Sequence, residues 1–92
     1  MSVDLTARRF VVRGRVQGVG YRYFAQNAAA EWKVSGYARN LEDGTVEVYA
    51  TGTAGQLSEF AGILRTGPRF SDVRSVEVEE AALEIHQGFR IR

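Results

Sequence analysis

The chain has no cysteine, one histidine and one proline in 92 residues, and Lys33 is its only lysine. Without cysteine there is no disulfide to staple a short chain and no thiolate for covalent catalysis or metal binding. The lone His86 has no second histidine and no cysteine to share a zinc ion with, so neither a resident metal nor a cofactor is expected. No apolar run reaches the length of a membrane-spanning helix. Residues 1–7 lack the apolar centre of a secretory signal, which leaves the cytoplasm as the default location. The formal net charge is only +1, whereas a nucleic-acid-binding domain is usually far more basic.

What remains is an ordinary globular composition, 45% hydrophobic and 25% charged. The length allows one domain, spanning 1–92, with residues 1–7 expected to form a poorly ordered extension. A chain this short buries a modest core and must stand on apolar packing alone. A monomer is the default expectation. The charges are unevenly spread: Arg8, Arg9, Arg13, Arg15 and Arg22 fall in one acid-free stretch, while Glu77, Glu79, Glu80 and Glu84 cluster near the C-terminus. Most such runs are solvated faces. A local positive field that attracts a small anion is the functional alternative.

Hydrophobic periodicity orders the chain. Arg8 to Val16 alternates as a strand, with Phe10 and Val12 on one face and Arg9, Val11 and Arg13 on the other. Tyr21, Phe24, Ala25, Ala28 and Trp32 recur at helical spacing, which predicts an amphipathic helix over Tyr21 to Lys33. A second strand is expected from about Val34 to Leu41, then a turn at Asp43-Gly44. Thr45 to Thr51 alternates cleanly, with Val46, Val48 and Ala50 opposed to Thr45, Glu47 and Tyr49. Thr53-x-x-Gln56 is a capping-box pattern. It opens a helix whose stripe is Leu57, Phe60, Ala61 and Leu64 and which stops at Gly67-Pro68. Val73 to Glu80 reads as a strand with Val76 and Val78 inward. Ala81 to Gly88 carries no clear period, and Phe89 to Arg92 has the alternation of a short edge strand. The order β-α-β-β-α-β predicts an α+β, ferredoxin-like sandwich: an antiparallel sheet with both helices on one face and the other face open to water.

The segment richest in chemistry is Gly14-Arg15-Val16-Gln17-Gly18-Val19-Gly20-Tyr21-Arg22, between a strand and a helix. Its glycines let consecutive main-chain N–H groups converge as an anion nest, and the helix N-terminus behind adds further unpaired donors. Arg22, in the first helical turn, has the planar fork that suits two phosphate oxygens. The Walker and dinucleotide patterns both fail here, since no Lys-Ser or Lys-Thr follows and the glycines are misplaced. A ligand-free glycine-rich connection is the competing reading. A second segment, Gly36-Tyr37-Ala38-Arg39-Asn40, places Asn40 just before the turn. An asparagine there has a local explanation too, a side-chain bond to the turn backbone.

Taken together, the two segments resemble the acylphosphatase family. Gly14 to Arg22, with its Val-Gln-Gly-Val core and closing arginine, is similar to the family's first signature. Gly36 to Asn40 with Gly44, Val46 and Gly52 is similar to the second. Weaker echoes continue through Gly67-Pro68, Val73/Val76 and Phe89/Ile91, so the resemblance runs from about Arg8 to Arg92. Tyr21 stands where an aromatic, often Phe, is usual. The resemblance implies the sandwich just described and hydrolysis of a small-molecule acyl phosphate to a carboxylate and inorganic phosphate. It assigns Arg22 as the phosphate-binding catalytic arginine and Asn40 as the water-positioning residue. Arg15, Val16, Gln17, Gly18, Val19 and Gly20 supply the phosphate-binding loop, with inorganic phosphate or sulfate as a product-like ligand. No metal, cofactor, membrane or nucleic acid is implied.

Other readings stay open at this point. Ferredoxin-like sheets also bind RNA through exposed aromatics, although Tyr49 beside Glu47 makes a poor platform. An accessory domain without its own turnover, like the homologous domain of carbamoyl-transfer maturation proteins, would carry the same motifs. Trp32 reads as core and His86 as surface. Arg39 reads as an exposed position, and Glu77, Glu79 and Glu80, which lack the spacing and partners of a metal site, read as solvated strand positions.

Overall fold

Apolar residues alternating along two neighbouring strands must share one buried face, and the structure arranges them so. The computed structural model describes residues 4–92. Its elements are β1 (Thr6–Arg15), α1 (Tyr21–Trp32), β2 (Ser35–Asn40), β3 (Val46–Gly52), α2 (Ala54–Thr66), β4 (Asp72–Ala81) and β5 (Phe89–Ile91). They form one five-stranded sheet in the order β4-β1-β3-β2-β5. β3 lies at the centre; β1 pairs antiparallel with β3 and β4, and β2 pairs antiparallel with β3. Both helices contribute buried residues to a single core against this sheet.

The register puts Phe10 opposite Val48 and Val12 opposite Val46. These four, with Ala38 and Ala50, meet Tyr21, Ala25, Ala28 and Ala29 of α1 and Leu57, Phe60, Ala61 and Leu64 of α2. Burying each of the larger side chains stabilises the fold by about 1.5–3 kcal/mol. The Tyr21 hydroxyl, deep in this core, donates to the Leu64 carbonyl at 2.7 Å, which ties the first turn of α1 to the end of α2. The expected capping box is present: the Thr53 hydroxyl accepts from the Gln56 N–H, and the Gln56 side chain accepts from the Thr53 N–H. Trp32 is half-buried at the end of α1, outside the central core.

Four expectations change. The sheet is mixed rather than antiparallel, because β5 pairs parallel with β2, aligning Gly36 with Phe89 and Ala38 with Ile91. β1 begins at Thr6 and Ala7 is buried, so residues 6 and 7 are sheet and not extension; residues 1–3 lie outside the described residues. Gly14 belongs to β1, at a register shift against β4. A Cβ there would stand 2.0 Å from the Asp72 carbonyl oxygen, which explains this glycine by close approach rather than by the turn that follows.

The fourth change concerns the outer face, which is not simply wet. Glu47 is 4% exposed, sandwiched between the Arg9 and Arg39 guanidinium groups; Arg9 also reaches Glu79, and Arg13 reaches Glu77. Arg39, Glu77 and Glu79 stay substantially exposed while joining these ion pairs, and Arg9 and Arg13 of the basic run are neutralised across the sheet. Beside this ladder Tyr49 stacks on Tyr37 with ring centroids 5.5 Å apart. The segment between β4 and β5 folds over them: the Tyr49 hydroxyl donates to the Ala82 carbonyl and accepts from the Glu84 N–H. His86 lies against both rings, with its side chain only 16% exposed. It is part of this cluster rather than a surface residue. Alternation alone hides such cover, because the covering segment has no period of its own.

Burial pushes the Glu47 carboxyl up, but hydrogen bonds from Arg9 and Arg39 outweigh it and hold the group below its ordinary value of 4.5. The stability this contributes is complete above that pH and is lost as acid titrates the folded carboxylate. Glu47→Gln should cost about 2 kcal/mol at pH 7 in urea unfolding. It should also remove Glu47's own share of the loss in stability as pH falls below 4.5, leaving the share of Asp43, which is likewise held low.

Candidate active site

Between the end of β1 and the start of α1 the chain must turn sharply, and two glycines do it. Gly18 and Gly20 have φ of 74° and 77°, the left-handed region that costs an L-residue about 1–2 kcal/mol. A Cβ at either would meet nothing within 4 Å, so conformation and open space, not crowding, account for them. Among the described residues, the main-chain N–H groups of Gln17 to Gly20 donate no hydrogen bond of good geometry to another main-chain group. Gly20 is also the N-cap of α1. It offers no side chain to the helix terminus, and the first turn carries no acid. A set of unspent donors at a helix N-terminus is an anion site in waiting.

A cavity of about 170 Å³ lies at this loop, lined by Val16, Gly18, Gly20, Tyr21, Arg22, Tyr23 and Asn40. Arg22 and Asn40, eighteen positions apart in sequence, thus share one pocket with the glycine loop. The other loop residues divide. Val16 is buried, and Val19 packs against the core from outside. Gln17 turns its side chain away toward the turn after β2. Arg15 is the last residue of β1, exposed and paired in register with Asp72, and it does not line the cavity.

Arg22 is oriented from behind. Its guanidinium donates to the Arg92 carbonyl at 2.8 Å. Arg92 in turn donates its N–H to the Ala38 carbonyl and lays its guanidinium over the Tyr37 ring at 4.0 Å. The short β5 therefore reaches the site indirectly, a contribution that Phe89-Arg90-Ile91-Arg92 does not advertise in sequence.

Asn40 ends β2 opposite Val46. The local explanation for an asparagine at this place is taken by another residue: the Asp43 carboxylate accepts from both the Thr45 hydroxyl and the Thr45 N–H. Those two bonds, side-chain first, hold Asp43 below its ordinary value. The Asn40 carboxamide makes no hydrogen bond among the described residues and stays exposed at the cavity wall. A further pocket of about 360 Å³ lies at the far end of α1, lined by Gln26, Ala29, Lys33, Val34 and Phe89 among others. It holds neither converging donors nor an arginine. Among the described residues no three His, Cys, Asp or Glu side chains come together, and no helix is long and apolar enough to cross a membrane.

A ferredoxin-like sandwich thus carries a pocket lined by loop glycines, one arginine and one asparagine. Comparison with known proteins narrows this. The acylphosphatase family model matches residues 8–91. An acylphosphatase from Solibacter usitatus is 63% identical over 86 residues, covering 94% of this chain and 90% of that protein. The crystal structure of acylphosphatase from Bacillus subtilis superposes with a TM-score of 0.92 at 41% identity, covering 97% of this chain and 99% of that one. Full-length HypF contains a similar unit, with a TM-score of 0.90 at 22% identity over 12% of its chain; this likeness is one of fold alone. The chain belongs to the acylphosphatase family of hydrolases.

The left-handed turn carries a stability prediction. Gly18→Ala should lower stability by about 1–2 kcal/mol through backbone strain alone, read as a shift in the urea midpoint with the slope unchanged.

Proposed function

We propose that Arg22 and the main-chain amides of the 15–20 loop hold the phosphoryl group of an acyl phosphate, while the Asn40 carboxamide holds the attacking water in line. The observation that carries this reading is that Arg22 and Asn40 line one cavity with Gly18 and Gly20. An acyl phosphate has a carboxylate leaving group, which departs with little need of protonation. The transition state for phosphoryl transfer is loose and spreads charge over three equatorial oxygens. Positioning and electrostatic stabilisation then suffice, and preorganised N–H donors with a guanidinium supply both.

An amide is not a base at neutral pH. Asn40 therefore orients water by accepting one hydrogen bond, and the water's proton passes to a phosphoryl oxygen. The water oxygen bonds to phosphorus, the bond to the acyl oxygen breaks, and its electron pair leaves on the carboxylate. Tyr23 stands at the cavity with its side chain largely open to solvent, so the acyl group meets few fixed partners and loose acyl selectivity follows. Inorganic phosphate, as product, should occupy the same cradle.

Hydrolysis of benzoyl phosphate with a chelator present tests the assignment. Arg22→Ala should lose measurable turnover and weaken inhibition by inorganic phosphate; near-wild-type activity in that variant would refute the role. Asn40→Ala should reduce kcat by on the order of 10²–10³ while phosphate inhibition changes little. Equal losses in kcat and phosphate affinity would instead make Asn40 a binding residue. The chelator itself should not change the wild-type rate.

A further inference from the structure

We infer that the Gln17 side chain is a positioning residue for Asn40, a clamp that fixes the phosphate loop against the turn carrying the water-holding carboxamide. The inference rests on the roles proposed above for the loop and for Asn40. It starts from two hydrogen bonds. Gln17 Nε2 donates to the Leu41 carbonyl at 2.8 Å and to the Thr45 carbonyl at 2.9 Å. Both acceptors are carbonyl oxygens, so only the nitrogen end of the carboxamide can face them, and both of its N–H groups are used.

The acceptors are not arbitrary. Leu41 follows Asn40 directly, and Leu41 and Thr45 close the turn between β2 and β3: the Leu41 N–H donates to the Thr45 carbonyl, and the Gly44 N–H to the Leu41 carbonyl. Gln17 thus spans the mouth of the turn. On its other side it adjoins Gly18, which lines the cavity. The clamp's own backbone belongs to the cradle loop, and one of its acceptors, the Leu41 carbonyl, lies one residue from Asn40.

Among the described residues, no other hydrogen bond joins residues 16–20 to residues 40–45. The two halves of the site arise on segments that are not sheet neighbours, since β3 lies between β1 and β2. The ladder through β3, whose Val46 pairs with both Val12 and Asn40, fixes the strands themselves; beyond Arg15, where the loop leaves the sheet, the Gln17 side chain supplies its hydrogen bonds to the turn. In-line attack is sensitive to displacements of about 1 Å, which can cost on the order of a hundredfold in rate. A clamp of this kind acts on kcat through Asn40 and leaves the cradle's hold on phosphate nearly intact. The neighbouring stripe of side chains does not replace it, because Val16 and Val19 carry no donor.

The test is a double-mutant cycle in the full chain, using benzoyl phosphate hydrolysis and inhibition by inorganic phosphate. Gln17→Met keeps the side chain's length without its donors; Gln17→Asn keeps a carboxamide that is too short to reach. Urea unfolding checks that each variant is folded, and either one alone suffices. With Asn40 present, each should lower kcat about tenfold to a hundredfold, with the phosphate inhibition constant changed less than about threefold. In the Asn40→Ala background, assayed at raised enzyme concentration, the same change should cost less than about threefold, because the group being positioned is gone. Equal losses in both backgrounds, or loss of phosphate inhibition in step with kcat, would overturn the inference and leave Asn40's own role standing. Full turnover in Asn40→Ala alone would overturn the reading of Asn40 and this inference with it.

Discussion

Main-chain N–H groups repel one another as dipoles when they converge, and a chain holds them together only if its backbone geometry leaves no alternative. In the role proposed for this loop, the left-handed conformations at Gly18 and Gly20 are what would impose that convergence, between a strand anchored on both sides and a helix anchored by the buried Tyr21. β1 is paired on both sides, with β3 and β4, and α1 is pinned at its first residue by the bond from Tyr21 to Leu64. The loop joins two fixed points across five residues. Its N–H groups have no main-chain acceptor among the described residues, which is what suits them to the anion-binding role proposed for the loop. The remaining parts of the site are arranged around that loop: the arginine by the helix it begins, the asparagine by the neighbouring turn.

The outer face of the sheet shows how a small chain without disulfides supplements its core. Glu47 is buried at the centre of a four-member charge ladder that crosses β4, β1, β3 and β2 in the order Glu79, Arg9, Glu47, Arg39. An isolated buried carboxylate would be costly, but two guanidinium groups satisfy it from both sides. The same acids serve the edge. β4 has one unpaired side, and its Glu77, Glu79 and Glu80 discourage a second chain from pairing there.

The inner face was legible in the sequence because it obeys simple periods. Phe10 and Val12, Val46 to Ala50, and the stripe of Leu57, Phe60, Ala61 and Leu64 all sit where alternation or helical spacing puts them. The capping box of Thr53 and Gln56 was equally plain, since it is a local bond between residues three apart. Arg22 and Asn40 could be singled out, but that they meet depends on β3 inserting between β1 and β2, which no local pattern states. The parallel pairing of β5, the cover over Tyr49 and the Gln17 clamp were not legible. Each depends on residues 24 or more positions apart, joined through segments with no period. Ala82 to Gly88 gains its conformation from the surface it covers rather than from its own composition.

The bond from Arg22 to the Arg92 carbonyl joins residues seventy positions apart. Contacts of such separation form late, after the intervening loops have closed. The fixed orientation of the Arg22 guanidinium therefore depends on the C-terminal strand being docked beside β2, whereas the left-handed backbone at Gly18 and Gly20 is set within the loop itself.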